Sequence, residues 1–476
     1  MKTKFFKIIC VFIIVVLSTV ALVSCKTKQK TGGGLEVFYD LDLSVDVENS
    51  NAYLSEKVTI KNDYDTEINE LKLYLYPNAC SADTKEGVKT ESVTIGNVKS
   101  NAQNLLYNIV DTIMTISLDE PLIKGREIQV VITATLNIPE NKLRFGRCDG
   151  VINLAEFYPK IAYYNGSDFE VVPYVPIGDP VLSGTADYKV NIEVPIGMEV
   201  AHSGRTVLRE EGNTLKITAE LKDARDFAVT IGEFNVYESE CNGIKVKHYT
   251  RNSEDSTSLI GRYLTEFEEG IGDFPYETIT IVETPFEYGG MEYSSMAIVN
   301  EVAENKEEII AHELLHQYFA CAVGSNGYAE SFLDESLVSF LTIYYMDIVK
   351  GGGVYQLELK KAQKYYETFL ASARVVYGKA YNPIMAKPLD EYKSLYEYDA
   401  LVYKQGVIAY NGIFELMGER KFNKAVKDYY QNNKGKVASA QDLYASFEKV
   451  GGKGMQSVFK AYLSGETEYG ANIIAV

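Results

Sequence analysis

Lys306-Glu307-Glu308-Ile309-Ile310-Ala311-His312-Glu313-Leu314-Leu315-His316 is the stretch on which the reading of this chain turns. On a helix, residues four apart lie about 40° apart around the axis, so both imidazoles face the same way. One turn of rise then sets them at a spacing suited to sharing one Zn2+, with Glu313 placed to hold a water beside it. The bland alternative is two histidines in a helix core. The chain holds four histidines in 476 residues (His202, His248, His312 and His316), and half of them fall within these five positions. The segment is otherwise apolar through Ile309, Ile310, Ala311, Leu314, Leu315 and Phe319. Two unpaired imidazoles and a carboxylate are costly there without a cation.

A catalytic zinc takes three protein ligands and leaves one position open. Glu335 follows His316 with 18 residues between them and is surrounded by Phe332, Leu333, Leu337 and Phe340. A carboxylate on the buried face of a helix must be paired or bound to metal, which makes Glu335 the candidate third ligand. Its neighbour Asp334 reads either as a solvated residue or as an acceptor for a ligating imidazole N–H.

Outward from this core the chain divides in two. From residue 35 to about 240 the hydrophobic period is two. Leu41, Leu43, Val45 and Val47 alternate with polar residues, as do Leu71, Leu73 and Leu75, then Tyr188, Val190, Ile192 and Val194, then Leu215, Ile217, Ala219 and Leu221. Runs of this kind broken by Gly, Asn, Asp and Pro predict antiparallel sheets in a sandwich or saddle. Residues 278–282 predict a short buried strand. From Lys306 onward the helical period dominates, predicting helices over 306–323, 330–349, 355–376, 399–417, 420–432, 440–449 and 453–463, with Gly324 and Gly418 at helix C-termini. His202, beside Pro195-Ile196-Gly197 and Ser203-Gly204, reads as a loop residue. His248 reads as a strand-face residue.

The N-terminus reads as an export signal over residues 1–24: three early lysines, then an apolar run from Ile8 to Val23. Leu22-Val23-Ser24-Cys25 resembles the bacterial lipoprotein cleavage box, which implies lipidation of Cys25 and attachment to the outer face of a membrane. An uncleaved signal anchor is the alternative. Residues 25–34, rich in Lys and Gly, then form a flexible tether. Cys80, Cys148, Cys241 and Cys321 have no CxxC spacing, so a cysteine zinc site is not expected, and disulfides or buried thiols both remain open. A composition of 46% hydrophobic and 24% charged residues excludes disorder and collagen. With 47 basic against 66 acidic residues and a net charge of −19, nucleic acid is excluded as a partner.

His-Glu-x-x-His, 18 residues, then Glu resembles the gluzincin zinc metallopeptidases, and two further segments resemble the aminopeptidase N family in particular. Gly289-Gly290-Met291-Glu292-Tyr293 is similar to that family's Gly-x-Met-Glu-Asn motif, with Tyr293 where Asn is usual. The resemblance implies that this is an edge strand pairing with an extended peptide, with Glu292 meeting the substrate's free amine. Gly289 and Gly290 would let the substrate come close to the backbone. Tyr403-Lys404-Gln405-Gly406 is similar to the family's Tyr-x-Lys-Gly segment, with Gln405 in place of Lys. It implies that Tyr403 donates to the oxyanion, Tyr392, Tyr396 and Tyr398 being nearby rivals. Phe157-Tyr158-Pro159 and Arg225-Asp226-Phe227-Ala228 also resemble segments of the family's β domain.

The fold expected is therefore α+β: an antiparallel β sandwich or saddle over residues 35–240, then a thermolysin-like, mainly helical catalytic domain with a small sheet over 241–476. Longer members continue beyond this domain, and the roughly 70 residues after Tyr403 imply a more open cleft. The expected activity is that of a zinc-dependent aminopeptidase with peptide substrates, ligands His312, His316 and Glu335, and catalytic Glu313 and Tyr403. A thermolysin-like endopeptidase and a catalytically silent peptide-binding lipoprotein are the alternatives.

Overall fold

A computed structural model describes residues 34–80 and 91–463, so the signal segment and Cys25 lie outside the described residues. The described residues form one compact unit. The front half is built from strands, as the period-two pattern predicts. An eight-stranded sheet runs in the order Arg205–Glu211, Thr214–Ala224, Ala186–Pro195, Leu35–Asp46, Asn51–Asn62, Glu127–Asn137, Val93–Ser100 and Gln103–Asn104. The inward residues Leu41, Leu43 and Val45 are buried and their polar neighbours are not, which is the alternation that places one face on the core. Two four-stranded sheets, one containing Ile68–Tyr74 and Ile113–Leu122, the other Val151–Ala155 and Ala228–Gly232, and a two-stranded sheet of Tyr163–Tyr164 and Phe169–Glu170 complete this half among the described residues. One pairing departs from expectation: Leu35–Asp46 and Ala186–Pro195 run parallel, Leu41 opposite Val190. Parallel neighbours need a long crossover, and here about 140 residues of intervening chain supply it.

The back half opens with a five-stranded sheet in the order Asn235–Cys241, Ile244–Thr250, Thr278–Thr284, Met296–Asn300 and Gly290–Tyr293. Gly290–Tyr293 is thus an edge strand, antiparallel to Met296–Asn300 in an otherwise largely parallel sheet. The predicted strand at 278–282 is fully buried over Thr278–Thr284. Helices follow at Lys306–His316, Glu335–Lys350, Tyr355–Val376, Gly406–Met417, Glu419–Asn433, Ala440–Gly451 and Met455–Leu463. A helix at Thr257–Gly270 was not among those predicted; Ile260, Tyr263, Leu264 and Phe267 form its buried stripe.

Three local expectations are corrected. The helix predicted over 306–323 stops at His316. Beyond it the chain makes wider turns, in which Cys321, Ala322 and Val323 N–H groups reach back to the carbonyls of His316, Gln317 and Tyr318. Gly324 is consequently no helix cap. It lacks a side chain because the Arg225 guanidinium lies there, and a Cβ would fall 2.2 Å from its Cζ. His202 is not a loop residue but the buried end of strand Glu199–His202, with its ring bonded to Ser203 O and Thr206 Oγ1. His248 does sit on a strand, and Cys80, Cys148, Cys241 and Cys321 are free thiols.

Two buried acids outside the His312 to His316 motif have opposite consequences for stability. Glu283 accepts from Lys306 Nζ (2.8 Å), the first residue of that helix, and from Thr250 Oγ1 (2.9 Å), and it lies 3.2 Å from His248 Nε2. Burial opposes its charge, yet the bonds from His248 and Lys306 outweigh it and hold the carboxyl down at about 2. In the unfolded chain a Glu protonates near 4.3, so this stabilisation is present above about pH 4.3 and lost as pH falls toward 2. Glu283→Gln is expected to lower stability at pH 7 by about 2 to 3 kcal/mol in urea unfolding, with the gap to wild type closing in acid. An equal urea midpoint for the two proteins at pH 7 would contradict this.

Glu56, between Leu41 and Ile132 in the sandwich interior, is fully buried, and neither oxygen has a hydrogen-bond partner among the described residues. Burial raises its carboxyl well above the usual range. Such a group favours the fold while neutral and costs stability as pH rises past the unfolded value. Glu56→Leu is expected to stabilise the protein at pH 7 by about 1 to 3 kcal/mol, raising the melting temperature, with a smaller gain at pH 4. A variant that melts lower than wild type at both pH values would show that the carboxyl is needed.

Candidate metal centre and active site

His312 and His316 project from the same face of helix Lys306–His316, and their Nε2 atoms are 3.0 Å apart. Glu335 Oε2 lies 3.2 Å from His316 Nε2 and 3.3 Å from His312 Nε2. A tetrahedral zinc with ligand distances of about 2.0 to 2.1 Å separates its ligand atoms by about 3.3 Å, so the three atoms already stand close to the vertices of such a site. The outer contacts suit this too. Phe319 O lies 3.0 Å from His316 Nδ1 and Thr342 Oγ1 3.4 Å from His312 Nδ1, leaving both Nε2 atoms aimed at the common point. Two imidazole nitrogens facing each other beside a carboxylate are satisfied by a shared cation and poorly by anything else within the described residues. The donor set fits zinc.

Electrostatics agree with that reading. Burial acts to raise the Glu335 carboxyl, but His316 and His312 draw it below the usual carboxylate range. Burial disfavours charge on His316, and the Glu292 and Glu335 carboxylates override it, raising its pKa well above normal. The carboxylates gathered around His316 thus favour a positive charge at this point, the place a cation would take.

Glu335 is presented by local structure. Residues Ser331–Leu333 form a tight turn, and helix Glu335–Lys350 starts immediately after, with Asp334 as its cap. Asp334 Oδ1 accepts from the Glu335 N–H (2.8 Å) and Oδ2 from Ser325 Oγ (2.8 Å). It is therefore neither of the two things its sequence position suggested: it orients the ligand's backbone, not an imidazole.

Glu313 is buried beside the two histidines, and its Oε2 has no partner among the described residues. Burial pushes its carboxyl up to about 8. The space it occupies depends on Gly290, where a Cβ would fall 2.4 Å from Glu313 Oε1 and 2.7 Å from Ile309 Cγ2. Gly289 approaches Ile309 less tightly, at 3.4 Å. The glycine pair was expected to admit substrate; what Gly290 demonstrably admits is the Glu313 carboxylate.

The pleat of Gly290–Tyr293 sorts the other residues of that strand. Gly290 and Glu292 face the metal helix, and Glu292 Oε1 reaches to 4.0 Å from His316 Nδ1. Burial raises the Glu292 carboxyl, with His316 opposing and Asp179, Glu313 and Glu335 reinforcing. Met291 and Tyr293 turn the other way and pack with Phe286, Met296 and Ile298. Met291 therefore offers the cleft only its backbone.

Tyr403 lies in a π-helical turn, Asp399–Gln405, and its Oη donates to Glu335 Oε1 at 2.7 Å. Of its rivals, Tyr392 Oη is committed to Met385 O (2.6 Å), and Tyr396 is 41% exposed. Tyr398 is buried beside Tyr403, with ring centroids 5.7 Å apart, and its Oη is unpartnered among the described residues.

The structure adds residues that motif reading passed over. A cavity of about 50 Å³ beside Glu292 and Glu335 is walled by Arg144, Asp179, Glu156 and Tyr293. Arg144 pairs with Asp179, and Lys160 with Glu156, all from the β domain. Arg225 clips the two halves together, donating to Ser183 O (2.6 Å), Cys321 O (3.0 Å) and Lys436 O (2.5 Å), while Asp226 accepts from the Ser294 N–H (2.7 Å). Arg144, Glu156 and Asp179 lie in loops far along the chain from the histidine motif, and no local spacing marks them, whereas Arg225 and Asp226 belong to a segment the sequence itself singles out.

Residues 259–462, which hold every one of the metal and catalytic candidates, match the model of the peptidase family M1 domain. That match covers a little under half of the chain. Similar proteins include Aminopeptidase M1 of Arabidopsis thaliana, 23% identical over 308 residues, covering 58% of this chain and 34% of that protein. Aminopeptidase 2 of Candida albicans is 23% identical over 274 residues, covering 52% and 29%. The chain thus spans about a third of the length of the curated M1 relatives it matches. In fold, it is similar to an M1 zinc metallopeptidase from Deinococcus radiodurans, with a TM-score of 0.70 at 16% identity, covering 92% of this chain and 95% of that chain.

Proposed function

We propose that this chain is an M1-type zinc-dependent aminopeptidase that removes N-terminal residues from peptides at the outer face of a membrane, held there by lipid on Cys25. The observation that carries the exopeptidase reading is the placement of Glu292. Its buried carboxylate stands on an edge strand next to the His312, His316 and Glu335 triad. A peptide pairing with that edge would run its protonated amine into Glu292 and present its first peptide bond to the triad. The names of the aminopeptidase relatives support the same reading, as does a Deinococcus variant described as bound to a Tyr-Ser-Ala substrate.

His312, His316 and Glu335 would hold the zinc, which would supply Lewis acidity toward a carbonyl oxygen and a water. The remaining work falls to this chain's side chains. Glu313, with its free Oε2, accepts a proton from the attacking water and returns it to the leaving amine. Tyr403 Oη turns from Glu335 Oε1 to the carbonyl oxygen as charge gathers there. Glu292 fixes the register by binding the α-ammonium. Membrane attachment is supported by the lipobox-like Leu22-Val23-Ser24-Cys25 and the Lys- and Gly-rich tether. Among the described residues no helix is long and apolar enough to cross a membrane.

The test is an aminoacyl chromogenic substrate offered free and N-acetylated, with and without chelator. The reading expects cleavage of the free form far faster than of the acetylated form, both abolished by chelator. Equal cleavage of the acetylated form would make the protein an endopeptidase; no cleavage by fully metallated protein would make it a peptide-binding lipoprotein. Incorporation of labelled palmitate, lost in Cys25→Ala, tests the anchor.

A further inference from the structure

We propose that Ser336 is a positioning residue for Tyr403, its hydroxyl fixing the π-helical turn that carries the tyrosine against the helix that carries Glu335. The proposal rests on the aminopeptidase reading, in which Tyr403 serves the oxyanion.

Two pairs of consecutive residues face each other across these helices. Tyr403 Oη donates to Glu335 Oε1 at 2.7 Å. One residue on, Ser336 Oγ donates to the carbonyl of Val402, one residue back, at 2.6 Å. Ser336 is 1% exposed, so this bond is shielded from water. Val402 sits inside the π-helical turn Asp399–Gln405, where the Gly406 N–H reaches five residues back to Leu401 O. A π-turn breaks the regular i→i−4 ladder and is held only where surrounding contacts favour it. Here the contact is close. A Cβ on Gly406 would fall 2.5 Å from Ser336 Oγ and 2.6 Å from Ser336 Cβ, so the missing side chain lets the two backbones meet.

The arrangement separates two tasks. During turnover Tyr403 Oη must leave Glu335 for the substrate. The Ser336 bond to Val402 is made by the neighbouring backbone and need not break, so the tyrosine can swing at its side chain while its Cα stays fixed. A positional error of about 1 Å in such a group is enough to cost on the order of 100-fold in rate. Removing one of several restraints is expected to cost less, about 10-fold.

The experiment is a double-mutant cycle between Ser336→Ala and Tyr403→Phe. Free-amine aminoacyl substrates report kcat and KM, and calorimetry reports binding of a phosphinic dipeptide that mimics the tetrahedral geometry. Ser336→Ala is expected to lower kcat about 10-fold and weaken the phosphinic ligand similarly, with KM and zinc content unchanged. In the Tyr403→Phe background the same change should add less than 2-fold to either readout. Ser336→Cys, close in size but with only a weak donor in place of the hydroxyl, should behave alike and covers a failure of the alanine variant to fold. The proposal is overturned if Ser336→Ala costs the same factor with or without the Tyr403 hydroxyl, or if both Ser336 variants match wild type. A wild-type protein silent on every free-amine substrate would instead remove the aminopeptidase reading, and this proposal with it.

Discussion

Glu313→Gln is expected to leave a folded, zinc-loaded protein whose turnover on free-amine substrates falls by about 10³ to 10⁴-fold. The substitution keeps the side chain's length and shape, so the close fit over Gly290 and Ile309 survives. It removes only the capacity to accept a proton, and general acid–base catalysis contributes about 10² to 10⁴ on its own. Glu313 is not among the three atoms that converge on the metal point, so zinc content should equal that of wild type. Its neutral amide also relieves repulsion with Glu335, which makes a loss of folding an unlooked-for result. Wild-type turnover in this variant would place the base elsewhere, and a loss of zinc would make Glu313 a ligand.

The second large effect is selective. Glu292→Ala should cut kcat/KM for free-amine substrates by about 10² to 5 × 10³-fold, because a buried ammonium left without its carboxylate loses roughly 3 to 5 kcal/mol. N-blocked substrates carry no such charge and should be hydrolysed no worse than by wild type. The ratio of the two substrate classes should therefore collapse. Comparable losses on both classes would mean that Glu292 supports the site generally and does not read the amine. Its contact with His316 Nδ1 is 4.0 Å, long enough that zinc binding should not depend on it.

Much of this site was legible in the sequence because its chemistry is periodic. His312 and His316 are four apart on a helix, and that spacing alone makes their rings share a face. Glu335 stood out as an acid among Phe332, Leu333, Leu337 and Phe340, and the structure buries it against both rings. The alternation of Leu41, Leu43 and Val45 likewise survives as an inward face. The failures have equally specific causes. Residues 317–323 keep an apolar pattern after His316, with Tyr318, Phe319 and Cys321 all buried, so periodicity could not reveal that the helix had given way to wider turns. Thr257–Gly270 did carry a readable stripe in Ile260, Tyr263, Leu264 and Phe267; Gly261 and two threonines obscured it. The parallel pairing of Leu35–Asp46 with Ala186–Pro195 has no local signature, since alternation is the same in either direction. Asp179, Glu156 and Arg144 reach the cavity beside Glu292 only through tertiary folding. Asp334 shows how a role can be misread at the right position: its carboxylate caps the helix that presents Glu335.

The central claim is that His312, His316 and Glu335 hold one catalytic zinc, and metal analysis of purified protein tests it most directly. Elemental measurement should find one zinc per chain in the wild type and the same in Glu313→Gln. Less than a tenth of that should remain in His316→Ala and Glu335→Gln after brief dialysis against a weak chelator. A wild type without stoichiometric divalent metal, or a Glu335→Gln variant that keeps its full complement, would contradict the account.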